Sequence, residues 1–123
     1  MREQLKDRNR LEHILQAINQ VFEFADGMTY EQFCEDKLKF AAITYHTMIV
    51  GEAAYMLSKT FVEKYADTPW SKIKGMRHYV VHGYYQVRKD ILWNVVLYDL
   101  QPLKEQITRY LAETDWSQWE KEA

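Results

Sequence analysis

The sequence predicts an all-α protein, an antiparallel bundle of four to five helices, and three observations predict it. Gly and Pro together number only six in 123 residues, so little interrupts the chain. Apolar residues make up 47% and aromatics 15%, ample for one core in a chain too short for two domains. The apolar residues recur at spacings of three, four and seven, the period of a buried helix face.

Leu11, Ile14, Leu15, Ile18, Val21, Phe22 and Ala25 set that period first and predict a helix over about residues 3–26. Gly27 can take the left-handed conformation that ends it. Thr29 with Gln32 forms a capping-box pattern that starts the next element. From Thr29 the chain stays helix-compatible to about Ala66, with a kink near residues 34–37. Its apolar stripe comprises Phe33, Leu38, Ala41, Ala42, Tyr45, Met48, Ile49, Ala53, Met56, Leu57 and Phe61. Thr68 as N-cap and Pro69 at the first helical position restart a helix that runs to Gly83 as its C-terminal cap. Asp90 opens a final helix carrying Ile91, Leu92, Val95, Val96, Leu100, Leu103, Ile107, Tyr110 and Leu111, kinked at Pro102. Residues 1–113 form the helical domain. A tail over 114–123 carries Trp116 and Trp119, to dock on the bundle or on a partner; the sequence leaves both open.

Cys34 stands alone, so neither an internal disulfide nor a Cys-rich zinc site is available, and a reducing, cytoplasmic setting is expected. Met1-Arg2-Glu3-Gln4-Leu5-Lys6-Asp7 lacks the apolar centre of a signal peptide. The longest apolar stretch, Met48 to Leu57, is interrupted by Glu52, so no membrane span is expected. Helical bundles often hold a carboxylate-bridged metal pair through Glu-x-x-His on two helices. No glutamate here has a histidine three residues later, and His-Glu-x-x-His is absent, so no metal and no cofactor are expected. His13 and His46 have no companion ligands and read as ordinary helix residues.

The chemistry concentrates in one segment. Residues 69–89 contain Lys72, Lys74, Arg77, Arg88 and Lys89 and no acid, a local charge of +5 in a chain whose net charge is −2. Within it, Arg77-His78-Tyr79-Val80-Val81-His82-Gly83-Tyr84 gathers a guanidinium, two imidazoles and phenols. On one continuous helix Arg77 and Tyr84, seven apart, share a face, and His78 and His82 share a neighbouring one. An imidazole that exchanges protons near neutral pH beside a guanidinium that holds phosphate oxygens suits cleavage of a phosphodiester. RNA supplies its own 2′-hydroxyl nucleophile, which needs no metal-bound water. The other reading of the same residues is helix capping and aromatic packing by Tyr79, Tyr84 and Tyr85.

Arg77, His82 and Tyr84 also spell Arg-x4-His-x-Tyr, and the surrounding chain resembles the HepT-like toxins of the HEPN superfamily. Ile49-Val50-Gly51-Glu52-Ala53-Ala54 with Leu57-Ser58 is similar to that family's Ile-Ile-Gly-Glu-Ala-Ala segment. Pro69-Trp70, Ile73, Gly75-Met76-Arg77, Val81-His82, Val87, Leu92-Trp93, Leu100, Pro102 and Leu103 follow in the family's order. The resemblance covers about residues 8–111.

It implies a helical homodimer that brings two motifs to one cleft, and metal-independent cleavage of RNA with Arg77 and His82 as the catalytic pair. It also implies the toxin half of a type VII toxin–antitoxin pair. The partner is then a minimal nucleotidyltransferase antitoxin that transfers AMP to Tyr84, with Tyr85 as a fallback acceptor. Lys72, Lys74, His78, Arg88 and Lys89 are the expected RNA contacts. His78 departs from the asparagine common after the motif arginine, and many relatives carry an acid near Arg88. Glu52 is a candidate partner for Arg77 or His82, or a bundle residue paired with a lysine.

The acidic bulk argues against broad nucleic-acid affinity and suits selective cutting of an RNA such as tRNA. A different class of reading is a non-catalytic module that binds a nucleotide or docks the nucleotidyltransferase; His82 in register with Arg77 speaks against it. For the dimer, the motif helix and the last helix, with Tyr84, Tyr85 and Trp93, are interface candidates.

Overall fold

A computed structural model describes residues 2–78 and 88–122, and every element in them is helical. The order is α1 (Arg2–Ala25), α2 (Tyr30–Glu35), α3 (Lys37–Tyr55), α4 (Lys59–Lys64), α5 (Trp70–Gly75) and α6 (Lys89–Asn94). A π-helical turn (Val95–Asp99), α7 (Leu100–Glu113) and α8 (Trp116–Lys121) complete it. Among the described residues no helix is long and apolar enough to cross a membrane.

Helix α1 packs along α3 and along α7, and its stripe of Leu11, Ile14, Ala17, Ile18 and Val21 is buried. Gly27 adopts φ 71° after it, and Thr29 closes the capping box with Gln32 that begins α2. The kink expected near residues 34–37 is a full break: Asp36 is extended and its carboxylate accepts the Lys39 N–H at 2.9 Å, starting α3 afresh.

The helix does not continue to Ala66 as the apolar pattern suggested. Ser58 interrupts it as the extended N-cap of α4, its hydroxyl accepting the Phe61 N–H at 3.1 Å. Ser58 is held there by Asp7. That buried carboxylate accepts the Ser58 N–H at 2.8 Å, the Ser58 hydroxyl at 2.7 Å and the Trp119 indole N–H at 3.0 Å. One side chain of α1 thus ties together α4 and α8, and the tail docks on its own bundle. Trp116 and Trp119 are buried against Phe61, which also meets Tyr65, Trp70 and Tyr110.

The buried face of α3 differs from the expected stripe. Ile43, Thr44, Thr47, Val50, Gly51, Ala53 and Ala54 face inward, while Leu38, Tyr45 and Met56 are exposed. Apolar residues occur on all sides of this helix, so periodicity alone could not choose the face. The two buried threonines satisfy their hydroxyls on the carbonyls of Phe40 and Ile43.

Pro69 acts differently from expectation. Pro69 forms an inverse γ-turn, φ −76° and ψ 71°, with the Trp70 N–H donated to the Thr68 carbonyl at 2.8 Å. Thr68 is therefore not the N-cap; its hydroxyl bonds Gln106 at 2.9 Å and meets the Tyr110 hydroxyl. Pro102 lies inside α7, just after the π turn into which the helix widens. Trp93, offered by the sequence for an interface, is instead stacked on Phe33 at 4.7 Å in the protein's own core. The expected cap at Gly83 lies outside the described residues.

Replacing Asp7 with Ala strands three buried donors, and we expect a loss of about 3 kcal/mol in urea unfolding. Near Thr68, the Arg109 guanidinium holds the Asp67 carboxyl below its ordinary range. A depressed folded pKa stabilises above the unfolded value and fades as pH falls through the folded one. The Asp67→Asn variant should therefore melt below the parent at neutral pH and converge with it as acid protonates the Asp67 carboxyl, read by thermal denaturation across pH.

Candidate functional site

The site is set by a missing side chain. A Cβ on Gly51 would stand 2.3 Å from the Arg77 nitrogen, 2.8 Å from the Met76 carbonyl carbon and 3.0 Å from the Ile73 oxygen. Only glycine lets the end of α5 lie directly on α3. Ile73 and Met76 are buried at this contact and fix its height.

Helix α5 closes there. The Met76 N–H bonds the carbonyls of Ile73 and Lys74, and Arg77 N–H reaches Lys74 at 3.3 Å, so Met76 and Arg77 form a turn. The single helix expected from Thr68 to Gly83 is thus broken at the motif arginine, and the shared faces counted across it do not apply. Three-residue tightening at the buried Met76 explains the break.

From this turn the Arg77 guanidinium lies over the Tyr55 ring, Cζ 3.8 Å from the centroid, with Nη1 4.0 Å from the Glu52 carboxylate. Glu52 and Tyr55 are three apart on the exposed side of α3, one helical step from Gly51. Glu52 is thus beside Arg77, one of the partners the sequence offered, although on the surface rather than buried. The side chains of Arg77 and Glu52 are 29% and 52% exposed, so the guanidinium is oriented yet reachable. Its five N–H donors exceed what one carboxylate at 4.0 Å can engage, which leaves a fork suited to phosphate.

The other basic residues do not gather around it. Lys72 pairs with Asp99 of the π turn at 3.0 Å, and Arg88 with Asp90 at 2.7 Å, where it holds the Asp90 carboxyl below its usual range. Lys89 donates to the Cys34 carbonyl at 3.1 Å and lies over Phe40. Phe40 and Tyr55 are fifteen residues apart on α3, which separates Lys89 from Arg77 by roughly 22 Å along the helix. Lys74 is half-buried on α5, and His78 is exposed next to Arg77. His82, Tyr84 and Tyr85 lie outside the described residues, as do Tyr79 and Val87. Among the described residues no group of three His, Cys, Asp or Glu is placed to hold a metal ion.

Sequence reasoning missed Tyr55, which lies outside the apolar stripe read for this part of the chain. Its spacing of three from Glu52 was the available signal.

The family model for ribonuclease HepT-like proteins matches residues 14–110, which include Gly51, Glu52, Tyr55 and Arg77. The chain belongs to the HepT-like ribonuclease family. The chain is 36% identical to "Putative RNase TTE0752" of Caldanaerobacter subterraneus subsp. tengcongensis, over 85% of this chain and 93% of that protein. It is 33% identical to "Probable ribonuclease HepT" of Thermococcus cleftensis, over 79% of this chain and 88% of that one. "Putative RNase MJ1380" of Methanocaldococcus jannaschii is 30% identical, over 76% and 86%. No solved structure matches the chain. In this HepT-like chain Trp116, Trp119 and the α8 that carries them fall beyond the matched segment.

A methyl group at Gly51 would add about 1 kcal/mol of helix propensity but meet backbone, which cannot swing aside. We therefore expect Gly51→Ala to destabilise the HepT-like fold by about 1–3 kcal/mol, measured by chemical denaturation. A more stable variant would show that α3 and Arg77 can separate without cost.

Proposed function

We propose that the protein is a metal-independent endoribonuclease, the toxin of a type VII toxin–antitoxin pair, with Arg77 and His82 as its catalytic residues. The observation that carries this reading is the Arg77 guanidinium, held half-exposed over Tyr55 and beside Glu52, inside the segment matched to the HepT-like ribonuclease family. The RNase names of the relatives support the same substrate class.

In this mechanism RNA enters with a phosphate on the Arg77 fork. His82 takes the proton of the adjacent 2′-hydroxyl, whose oxygen attacks phosphorus. Arg77 stabilises the charge that builds on the equatorial oxygens. The bond to the 5′ oxygen breaks, and that oxygen receives a proton from an imidazolium. The products are a 2′,3′-cyclic phosphate and a 5′-hydroxyl, so no metal-bound water is consumed. Arg77 suits the phosphate better than lysine would, because its planar fork engages two oxygens at once.

The protein acts as a homodimer in which two motifs share a cleft. Leu38 and Tyr45, 81% and 53% exposed on α3, supply apolar surface that a second copy would cover. A minimal nucleotidyltransferase antitoxin silences it by transferring AMP from ATP to the Tyr84 hydroxyl, releasing pyrophosphate. The added phosphodiester is negative and repels substrate phosphate from Arg77. With Lys72, Arg88 and Lys89 paired internally, binding energy centres on few phosphates, which favours one selected RNA such as tRNA over broad affinity.

The test is cleavage of a labelled tRNA pool in EDTA. Wild type should cut and leave cyclic phosphate ends, His82→Ala should not, and Arg77→Ala should lose on the order of a hundredfold or more in rate. Failure of clean, unmodified wild type to cut would favour the non-catalytic module that binds a nucleotide or the nucleotidyltransferase.

A further inference from the structure

We infer that Tyr55 is a base-stacking shelf beside the phosphate fork, a residue that positions single-stranded RNA by holding the base next to the phosphate on Arg77. This rests on the reading of the site as RNA-binding. Tyr55 ends the outward side of α3, where the residue is 51% exposed. The guanidinium of Arg77 covers one face, 3.8 Å from the centroid. Among the described residues no other aromatic ring packs on it, in contrast to the ring cluster around Phe61.

An exposed π-face touching a guanidinium offers two things a nucleotide carries side by side. The face takes a base, since every base has a π-surface, and the fork takes the phosphate attached to the same sugar. Glu52 adds direction. Its carboxylate lies on one flank of Arg77 and repels phosphate there, leaving the fork's other edge for the strand. The residue therefore acts on the base-bearing part of the ligand, while Arg77 acts on the backbone. Tyr55 also orients Arg77 through the same contact, so the test must separate stacking from orientation.

The separation comes from RNA that lacks bases. The full-length His82→Ala protein, which leaves RNA uncut, is titrated by fluorescence anisotropy with a labelled mixed-sequence RNA hexamer and with a fully abasic ribose-phosphate hexamer. Adding Tyr55→Ala should weaken binding of the base-bearing strand about tenfold and of the abasic strand by no more than about twofold. Tyr55→Phe should bind both strands like the parent, and the salt dependence of binding should not change. Tyr55→Leu, which fills the surface without a π-face, serves in place of Tyr55→Ala should that variant fold poorly.

Equal loss on both strands would reduce Tyr55 to a support for Arg77 and overturn the inference. So would unchanged binding, or a parent that binds neither strand. Cleavage by wild type is scored separately: absence of cutting sinks the nuclease reading, while the contrast between the two hexamers still decides Tyr55.

Discussion

The contact on which the candidate site depends is the one Gly51 permits. Helices normally meet through side chains and keep their axes apart by the width of those groups. Here the backbone of Met76 and Arg77 lies against the Gly51 α-carbon, so the height of the turn on α3 is fixed by main chain rather than by adjustable rotamers. Arg77 consequently leaves the turn beside Glu52 and Tyr55, the residues one and four positions after Gly51. A six-residue helix such as α5 could not hold that placement by its own hydrogen bonds. Its far end is anchored as well, by the γ-turn at Pro69, the Trp70 indole on the Tyr65 carbonyl and Thr68 on α7.

That second anchor belongs to a larger assembly around Phe61. Asp7 links α1 to the Ser58 cap and to Trp119, and Trp116 and Trp119 close over Phe61 from the far side. A buried carboxyl group that accepts from three donors is an organising device of high specificity, because each donor must be in place for its oxygens to be satisfied. The end of α3 that carries Glu52 and Tyr55 leads into this block through Ser58. The site is therefore built on the end of α3 that runs into this block, although Arg77 itself stands near the surface.

The helices read clearly from the sequence wherever a local device marked them. Gly27 and Thr29 acted as their types suggest, and the α1 stripe was legible because its other faces are polar. The break at Ser58 was invisible because its cause, Asp7, lies fifty-one residues earlier in the chain. The inward face of α3 was misjudged because threonines that satisfy their own hydroxyls behave as core residues there. Of the site, Arg77 and its neighbour Glu52 could be named from residue type and order. Tyr55 could not, since a tyrosine in an apolar helix looks the same whether it faces the core or the solvent. The spread of Lys72, Arg88 and Lys89 into separate ion pairs and contacts was equally hidden, because a run of like charges says nothing of the acids and carbonyls that fold against it.

The π turn at Val95–Asp99 carries one residue more than an α-helical turn would, ahead of Pro102. That surplus residue offsets the phase of α6 against α7 by about 100°, one residue's worth of helical rotation. Leu92 and Trp93 are buried on one side of this turn, and Leu103, Ile107 and Tyr110 on the other. The turn works as an angular gearing between the Tyr110 end, which is anchored, and α6. Shortening that turn by one residue would rotate α6 about its axis against α7 and carry Trp93 away from Phe33, so a change made far from Phe33 in the chain would be felt in its packing.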